Sequence, residues 1–441
     1  MKINYRAEAK LRGNTKWLTM FKYDDKTVMK AIALCFKPYL KPEEAMIYMN
    51  LGSTAFARKC EQYGVFKNSS GYFDKKDLDL MPDTDPKKDR LLLNEARIND
   101  LATSLNDIAN LPDPTGKLVL ESTTANGLHI QKKTVALGVV GVIYESRPNV
   151  TIDVAALCIR SGNVCVLRGG SDALHTNIVL VNLIHAVLAE FGLDAAIVQL
   201  LPTDRKFIME MLTAVKYIDI IIPRGSQQLI DYVRANSKVP TIETGAGVCH
   251  TYVEQTADIE NAAAIVVNAK VSRPSVCNAL DTVLVDWPVA KQLLTLAAPG
   301  LLKYNVEIFA DSESYAILQE LNYPYLQKAT QDDFGREFLD FKCSVKVVGG
   351  YDEAVTHIAE YSSKHSEAII SANTGLCERF LNEVDAAAVY INASTRFTDG
   401  GVFGLGAEIG ISTQKLHARG PFALEKLVTE KWYIRGNGQI R

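Results

Sequence analysis

One cysteine of this sequence lies in a setting suited to covalent chemistry. Cys277 is flanked by small and polar residues, between an amphipathic helical pattern and the apolar segment 281–285. A thiol on a turn between two elements can be reached by a substrate. Its thiolate attacks activated acyl carbons well when the surroundings stabilise the charged form. A lone free cysteine is more often a small buried hydrophobic residue, so the rest of the chain must decide between these two interpretations.

Two further candidates follow apolar strand patterns, at the place where parallel sheets bind ligands. Asn149 comes after the strand predicted at 139–144. Its amide could donate to an oxyanion, although an asparagine after Pro148 also suits a helix cap. Arg168, with Gly169 and Ser171, ends another strand and could hold a phosphate such as the 2′-phosphate of NADP. An ordinary turn with a surface arginine is an equal alternative.

The next strand repeats the phosphate pattern, and two carboxylates add weaker candidates. Arg224, Gly225 and Ser226 form a second possible phosphate turn. Glu243 could be a general base, but a solvated loop carboxylate is commoner. Glu337 could bind ribose hydroxyls, and its spacing alone says little.

A polar stretch near the C-terminus gathers basic side chains in an otherwise nearly neutral chain. The segments 392–401 and 412–421 contain Arg396, Lys415, His417 and Arg419. Long irregular segments inside a compact protein are usually functional or disordered. The composition favours anion binding over a merely solvated loop.

Charge and cysteine usage exclude several classes of protein. The net charge of −3, from 48 basic and 51 acidic residues, gives no electrostatic footprint for nucleic acid or a membrane surface. The start of the chain lacks the layout of a signal peptide. The 8 cysteines are scattered without C-x-x-C spacing, which predicts reduced thiols in a cytoplasmic protein and no metal site. No G-x-G-x-x-G motif is present.

The period of the apolar residues predicts an α/β fold. Within 441 residues, two blocks at about 137–253 and 257–391 alternate short apolar strands with helices, which favours two parallel sheets with a ligand cleft between them. A hairpin is predicted around Asn126-Gly127. The tail 428–434 is predicted to be a strand that pairs with this hairpin or with a partner subunit.

Six motifs, in order along the chain, carry a resemblance to a known family. They begin with GVVGVIYESRPNV (138–150), LRGGS (167–171) and IPRGS (222–226), and continue with RPSVCNA (273–279), NASTRFTDGG (392–401) and STQKLHARGP (412–421). Together they closely resemble the γ-glutamyl phosphate reductases of the aldehyde dehydrogenase superfamily. The resemblance runs from about Lys88 to the C-terminus, and residues 1–75 depart from the family pattern.

The resemblance implies an aldehyde dehydrogenase-like domain plan. A Rossmann-like NADP-binding domain would span 1–116 and 137–254, with 1–75 atypical, and a catalytic domain 255–385. An oligomerisation element would comprise 117–136 and 422–441, and 386–421 would be the active-site loop region. This superfamily binds its dinucleotide without the G-x-G-x-x-G motif, which is consistent with the absence of that motif here.

The resemblance also implies a role for each matched residue. Cys277 corresponds to the nucleophile and Asn149 to the oxyanion amide. Arg168 and Ser171 would bind the adenosine ribose of NADP, and Glu337 the nicotinamide ribose. The candidates for the substrate's carboxylate and phosphate are Arg147, Arg396, His417 and Arg419.

The implied reaction is the NADPH-dependent reduction of L-glutamyl 5-phosphate to glutamate 5-semialdehyde through a cysteine thioester, the second step of proline biosynthesis. Because phosphate is a good leaving group and no water attacks the thioester, the case for Glu243 as a base is weak. The expected partners are the small-molecule substrate, glutamate 5-kinase as a candidate, and further copies of the chain in a dimer or tetramer. Two alternatives remain open: an acylating dehydrogenase that uses a coenzyme A thioester, and a catalytically silent binding protein on the same fold.

Overall fold

The structure is a computed structural model that describes residues 66–68, 71–73, 77, 91 and 95–441 apart from Ser146. The atypical segment 1–75 therefore lies mostly outside the described residues. The chain divides into two compact units. The first comprises Met1–Glu243, Gly404–Gly410 and Phe422–Arg441, and the second comprises Thr244–Phe403 and Ile411–Pro421.

The first unit contains a parallel sheet at its centre. Its strands up to residue 224 are β1 Phe66–Asn68, β2 Gly71–Phe73, β3 Leu118–Thr123, β4 His129–Ala136, β5 Val139–Tyr144, β6 Val164–Arg168, β7 Val198–Leu200 and β8 Ile220–Arg224. Among the described residues, β7, β6, β5 and β8 form one parallel sheet in that order, and β1 pairs antiparallel with β2. Every residue of β5 and β6 is buried, as continuous apolar strands covered on both faces require.

Helices connect these strands and cover the sheet. They span Glu95–Asn110, Pro148–Arg160, Leu174–Glu190, Arg205–Thr213 and Gln227–Asn236. Pro148 lies in the first turn of its helix, where its missing N–H costs nothing. The side chains of Asp204 and Ser226 cap the last two of these helices by accepting backbone N–H bonds. The alternation predicted for 137–253 is therefore observed.

One helical stretch of the first unit is apolar along most of its length. Among the described residues, Ser171–Glu190 is long and apolar enough to cross a membrane by length and composition alone. Core helices pass the same test, and Leu180, Ile184 and Leu188 of this stretch are buried inside the unit.

The second unit is built on a larger parallel sheet. Its strands are β9 Cys249–Val253, β10 Leu280–Asp286, β11 Glu307–Ala310, β12 Leu326–Lys328, β13 Lys342–Val348, β14 Ser366–Ile370 and β15 Ala388–Ile391. Within the described part of the chain they pair in parallel in the order β12, β11, β13, β10, β9, β14, β15. Because β9 belongs to this sheet, the boundary lies at 243/244, whereas the sequence prediction has it at 254/255.

Helices lie between the strands of the second unit as predicted. They span Ile259–Val271, Trp287–Leu302, Ser312–Glu320, Gln331–Phe334, Tyr351–Tyr361 and Thr374–Glu383. The helix Ile259–Val271 packs its alanine- and valine-rich face against the sheet, with Ala262, Val266 and Ala269 buried. Its last residue lies six positions before Cys277, so it delivers the chain to the turn that carries the thiol.

The C-terminal segments complete the fold. They contain β16 Glu408–Ser412, β17 Gly420–Ala423 and β18 Val428–Arg435. β18 pairs antiparallel with β4 from Val428↔Ala136 to Arg435↔His129, and β4 pairs with β3. The tail thus joins the hairpin of the same chain, which is one of the two pairings that the sequence left open. The hairpin turn contains Gly127 with φ +85°, a conformation that favours glycine.

Candidate active site

Segments that precede neighbouring strands meet at one edge of the second unit's sheet. Cys277 precedes β10, and Glu337 precedes the adjacent β13. On the other side of β10, Gly247 precedes β9 and His365 precedes β14. Because these strands are parallel and adjacent, the residues before them lie side by side at the amino ends of the strands.

The backbone of Cys277 is held against Gly247. A Cβ placed on Gly247 would lie 1.5 Å from the carbonyl oxygen of Cys277. The same oxygen accepts a hydrogen bond from Cys249 Sγ at 3.3 Å. Only a glycine permits this close approach. The segment 243–247, in which the sequence singled out the carboxylate, therefore contributes its glycine to the turn that carries Cys277.

A second set of bonds ties Asn278, the residue after Cys277, to the polar C-terminal stretch. Asn278 Nδ2 donates to the carbonyls of Thr398 at 2.9 Å and Arg396 at 3.2 Å. Arg396 returns a bond from Nη1 to Asn278 Oδ1 and donates through Nε to Ser272 Oγ at 3.1 Å. Burial and the nearby Arg273 lower the pKa of Arg396. This predicted substrate group therefore braces the turn that carries Cys277.

The sequence did not single out His365, which lies beside the thiol. The side chain is fully buried, and its ring is within hydrogen-bonding reach of the Cys277 side chain. Nδ1 contacts Ser366 Oγ at 2.8 Å, and that hydroxyl lies 2.7 Å from Thr398 Oγ1. Burial is the largest single influence and opposes the charged ring, but Cys277, Glu337 and Glu367 together raise the pKa of His365. The sequence offered one sign of His365, which is a histidine just before an apolar strand. It is easily overlooked, because in α/β sheets ligands usually bind at the carboxyl ends of strands and His365 lies at an amino end.

Glu337 lies on the side of the Cys277 turn that is opposite to His365. Its Oε1 accepts the backbone N–H of Gly247 at 2.8 Å, and burial raises the pKa of its carboxyl. One carboxylate oxygen thus supports the glycine that contacts Cys277. This position is compatible with the predicted role toward a ribose, which remains a prediction.

The predicted basic group at 412–421 forms a cluster around one carboxylate. Arg419 Nη1 donates to Asp385 Oδ1 at 2.7 Å, and Lys415 lies 3.0 Å from Oδ2. Lys364 contacts the same carboxylate at 3.3 Å. Lys415 and Arg419 hold the pKa of Asp385 well below its usual range. His417 is exposed with φ +61°, so it adopts the left-handed conformation on the turn between the two cations.

Arg419 retains donors that the protein does not use. Its Nε and Nη2 are buried and have no hydrogen-bond partner among the described residues. Buried guanidinium donors without a partner are costly, which is the situation expected of a group that receives an anion.

The predicted oxyanion amide lies at the carboxyl edge of the first unit's sheet. Asn149 is exposed in the first turn of the helix Pro148–Arg160, and Arg147 occupies the N-cap position. Asn149 Nδ2 donates to Asp153 Oδ2 at 3.3 Å, one turn further along the helix. Burial, followed by Glu408, raises the pKa of Asp153 to about 7.

The first predicted phosphate turn has a tightly packed backbone. A Cβ on Gly169 would lie 2.3 Å from Asn177 Nδ2, so the glycine is required there. Arg168 Nη2 donates to the Thr203 carbonyl at 2.5 Å, while its buried Nε has no partner among the described residues. Ser171 is exposed at the start of the following helical turn.

The second predicted phosphate turn is occupied by a side chain of the protein. Glu145 Oε2 accepts the N–H of Ser226 at 2.9 Å, and a Cβ on Gly225 would lie 2.5 Å from the same oxygen. A carboxylate thus takes the amide that was predicted to face a phosphate. Glu243, the weak base candidate, lies 3.5 Å from Arg234 Nη1.

Comparison with known proteins gives the family of this chain. A gamma-glutamyl phosphate reductase from Chlorobium phaeobacteroides (strain BS1) is 53% identical over 367 residues, which are 83% of this chain and 88% of that protein. A protein of the same name from Legionella pneumophila (strain Paris) is 54% identical over 368 residues, with the same coverage. The chain belongs to the gamma-glutamyl phosphate reductase family. The broader model described as "Aldehyde dehydrogenase family" matches residues 92–311.

Solved structures agree with this membership. The crystal structure of gamma-glutamyl phosphate reductase from Thermotoga maritima superposes with a TM-score of 0.81 at 37% identity and covers 100% of both chains. An acetylating aldehyde dehydrogenase from Geobacillus thermoglucosidasius, 13% identical with a TM-score of 0.66, shares the fold. The predicted aldehyde dehydrogenase-like α/β fold and the predicted family are confirmed. As a gamma-glutamyl phosphate reductase family member, the chain is an enzyme of the aldehyde dehydrogenase type, whose members bind a nicotinamide cofactor.

Proposed function

We propose that this chain reduces L-glutamyl 5-phosphate to L-glutamate 5-semialdehyde and phosphate with NADPH, the second step of proline biosynthesis from glutamate. The observation that carries the proposal is the turn of Cys277, which Gly247 contacts on one side and Asn278 fixes on the other. The chain is also more than 50% identical to named reductases over most of its length. The coenzyme A alternative and the silent-scaffold alternative are not favoured by these relatives.

The first unit is suited to a phosphorylated dinucleotide. The buried Nε of Arg168 lacks a partner among the described residues, and the turn Gly169-Gly170-Ser171 brings backbone N–H groups to the end of a parallel strand. We assign the 2′-phosphate of NADP to Arg168 and Ser171, and the nicotinamide ribose to Glu337. Arg224, Gly225 and Ser226 are weaker candidates because Glu145 takes the Ser226 N–H. When bound, NADPH supplies the hydride of the reaction.

The protein's own residues perform the remaining chemistry. The Cys277 thiolate attacks the acyl carbon, and the carbon–oxygen bond to phosphate breaks to leave a thioester. Asn149 and the backbone N–H of Cys277 are the proposed donors to the oxyanion. After reduction, the carbon–sulfur bond of the thiohemiacetal breaks, which releases the aldehyde and restores the thiolate.

Arg419 is our first candidate for an anionic group of the substrate. Its unpartnered Nε and Nη2 form the two-pronged face that binds a carboxylate or phosphate. Lys415 and His417 lie on the same turn. Arg147 remains a further candidate, and Arg396 is the weakest because it braces Asn278 and Ser272.

The activity is tested most simply in the reverse direction. Glutamate 5-semialdehyde and NADP should give NADPH absorbance that depends on added phosphate. Replacement of phosphate by coenzyme A should give no signal. Coenzyme A-dependent turnover would support the acylating alternative, and no turnover with either acceptor would support the silent scaffold.

Arg168→Ala should distinguish the two nicotinamide cofactors. Loss of a charge-assisted bond to the 2′-phosphate should raise the KM for NADPH by roughly 10- to 100-fold and leave the KM for NADH nearly unchanged. Steady-state kinetics with each cofactor measures the difference. Arg234→Ala, which removes an arginine from a helix surface of the same unit, is the matched control. Equal effects of Arg168→Ala on both cofactors would refute the assignment.

The proposed setting of the enzyme is the cytoplasm, as a homo-oligomer. The sheet β18-β4-β3 exposes apolar side chains of Leu118, Leu120, Trp432 and Ile434, which a second copy could cover. Glutamate 5-kinase is the proposed partner, because an acyl phosphate hydrolyses in water and benefits from a nearby source.

A further inference from the structure

The fully buried imidazole of His365 adjoins the partly exposed thiol of Cys277. Ser366 Oγ lies 2.8 Å from Nδ1, which leaves Nε2 as the ring nitrogen that can serve the thiol. Nε2 is buried and has no hydrogen-bond partner among the described residues, so its lone pair is not used by another group there. The ring and the Cys277 side chain are within hydrogen-bonding reach of each other.

A line of hydroxyl groups can accept a hydrogen bond from a proton-bearing Nδ1 of His365. Ser366 Oγ lies 2.7 Å from Thr398 Oγ1, which in turn lies 2.7 Å from the Tyr390 hydroxyl. Hydroxyls that donate in sequence toward Tyr390 leave Ser366 Oγ as an acceptor for Nδ1–H. A neutral ring with its proton on Nδ1 has a lone pair on Nε2, which is the state that accepts a proton from a thiol.

Other charged groups around the ring favour its protonated form once the thiol has ionised. Glu337 and Glu367 both add negative potential at His365, and Glu367 is itself bound to His250 and Ser362. Arg396, in the polar C-terminal stretch, carries a positive charge and interacts electrostatically with Cys277. The net effect is a raised pKa for His365 despite its burial.

We propose that His365 is a catalytic residue of this enzyme, the proton acceptor that turns Cys277 into a thiolate. The inference rests on the proposed function, and it adds the base that the thioester route otherwise lacks. It also replaces Glu243, which pairs with Arg234, as the candidate for this task.

The proton transfers balance as follows. The Cys277 S–H bond breaks and its proton goes to Nε2 as the sulfur–carbon bond to the acyl group forms. When the carbon–oxygen bond to phosphate breaks, the imidazolium gives that proton to the departing oxygen, so hydrogen phosphate leaves and the ring is neutral again. After hydride addition, carbon–sulfur cleavage restores the thiolate, which takes up one proton from water in the net reaction.

The test uses the pH dependence of thiol alkylation, which needs no substrate. In the full-length protein, the rate of Cys277 modification by iodoacetamide should persist below pH 8.5, about the ordinary pKa of a thiol. His365→Gln should move the midpoint of this profile upward by about 1 pH unit or more. It should lower kcat by roughly 100- to 10,000-fold with little change in the KM for NADPH. Mass spectrometry of the modified peptide confirms that Cys277 is the residue measured.

Two further variants separate chemistry from packing. His185→Gln removes an imidazole that bonds the Val198 carbonyl in the first unit, and its alkylation profile should match that of the unchanged protein. Ser366→Ala keeps the His365 ring and removes the partner of Nδ1, so it should give a smaller shift in the same direction. An unshifted profile in a folded His365→Gln protein overturns the proposal. If that variant does not fold, an unshifted profile in Ser366→Ala overturns it.

The same measurement separates this inference from the proposed function. A shifted alkylation profile together with absent acyl phosphate reduction would retain the Cys277–His365 pair and refute the substrate. Reduction with an unshifted profile would retain the substrate and refute the base.

Discussion

Cys277→Ser should abolish reduction of the acyl phosphate, with kcat lower by about 10,000-fold or more. A serine hydroxyl is not ionised near neutral pH and is a much weaker nucleophile than a thiolate. The side chain is nearly isosteric, so the braces from Gly247 and Asn278 should survive. The dissociation constant for NADPH, measured by fluorescence titration, should change little.

The matched control is Cys377→Ser. Cys377 is a buried thiol of the same unit, and its Sγ donates to the Ser371 carbonyl at 3.7 Å, a bond that serine can also make. Its turnover should stay near that of the unchanged protein. Intact-protein mass spectrometry after incubation with the acyl phosphate and no NADPH should reveal a glutamyl adduct, and it should be missing in Cys277→Ser. Near-normal turnover of Cys277→Ser would exclude the thioester route.

Gly247→Ala should disable the enzyme although it adds a single methyl group. The new Cβ would lie 1.5 Å from the carbonyl oxygen of Cys277, and backbone atoms cannot give way as a flexible side chain can. Overpacking of this kind costs about 1–3 kcal/mol of stability. A nucleophile displaced by about 1 Å costs on the order of 100-fold in rate. We therefore expect kcat/KM to fall by at least ~100-fold and the urea midpoint of unfolding to decrease.

Gly245→Ala, two residues earlier on the same turn, is the control. There the nearest atom to an added Cβ is Thr413 Oγ1 at 3.0 Å, at the end of a side chain that can shift. We expect a much smaller loss of activity and stability. Comparable losses in both variants would mean that the turn tolerates no side chain at all, and that the contact with Cys277 is not the cause.

Most of the fold could be predicted from the pattern of apolar residues. The strand predicted at 139–144 is β5 with the same ends, and the apolar segment predicted after Cys277, 281–285, lies within β10 Leu280–Asp286. The prediction is good here because buried parallel strands are continuous apolar runs between amphipathic helices. The strand β9 Cys249–Val253 was not predicted, and its place between β10 and β14 depends on pairing that no local pattern shows.

The candidate site was predictable only in part. Cys277, Asn149 and Arg168 each stand beside a recognisable motif at the end of an element, and the motifs resemble those of one family. His365 and Gly247 have no such local sign. They matter because β14, β9 and β10 are neighbours, so Gly247 and His365, which lie 30 and 88 positions from Cys277 along the chain, meet it at one edge.

Arg396 and Ser226 show a second limit of sequence-based prediction, which is that a predicted ligand group can already be bonded within the protein. Their residue types and neighbours suit anion binding, and the sequence therefore made them ligand groups. In the structure, Arg396 donates hydrogen bonds to Asn278 and Ser272, and the Ser226 N–H donates to Glu145. A donor that the protein already uses is less available to a ligand, and sequence does not show which donors are used.

The sequence by itself determined the fold class and the family, and it singled out Cys277 as the proposed nucleophile, because periodicity and short motifs are local properties of the chain. The tertiary structure alone decided the partners of Cys277. Gly247 contacts the backbone of Cys277, Asn278 and Arg396 fix the turn that carries it, and His365 interacts with its thiol. The physical reason is that parallel pairing brings distant segments to the same edge of a sheet, and no local pattern encodes which strands become neighbours.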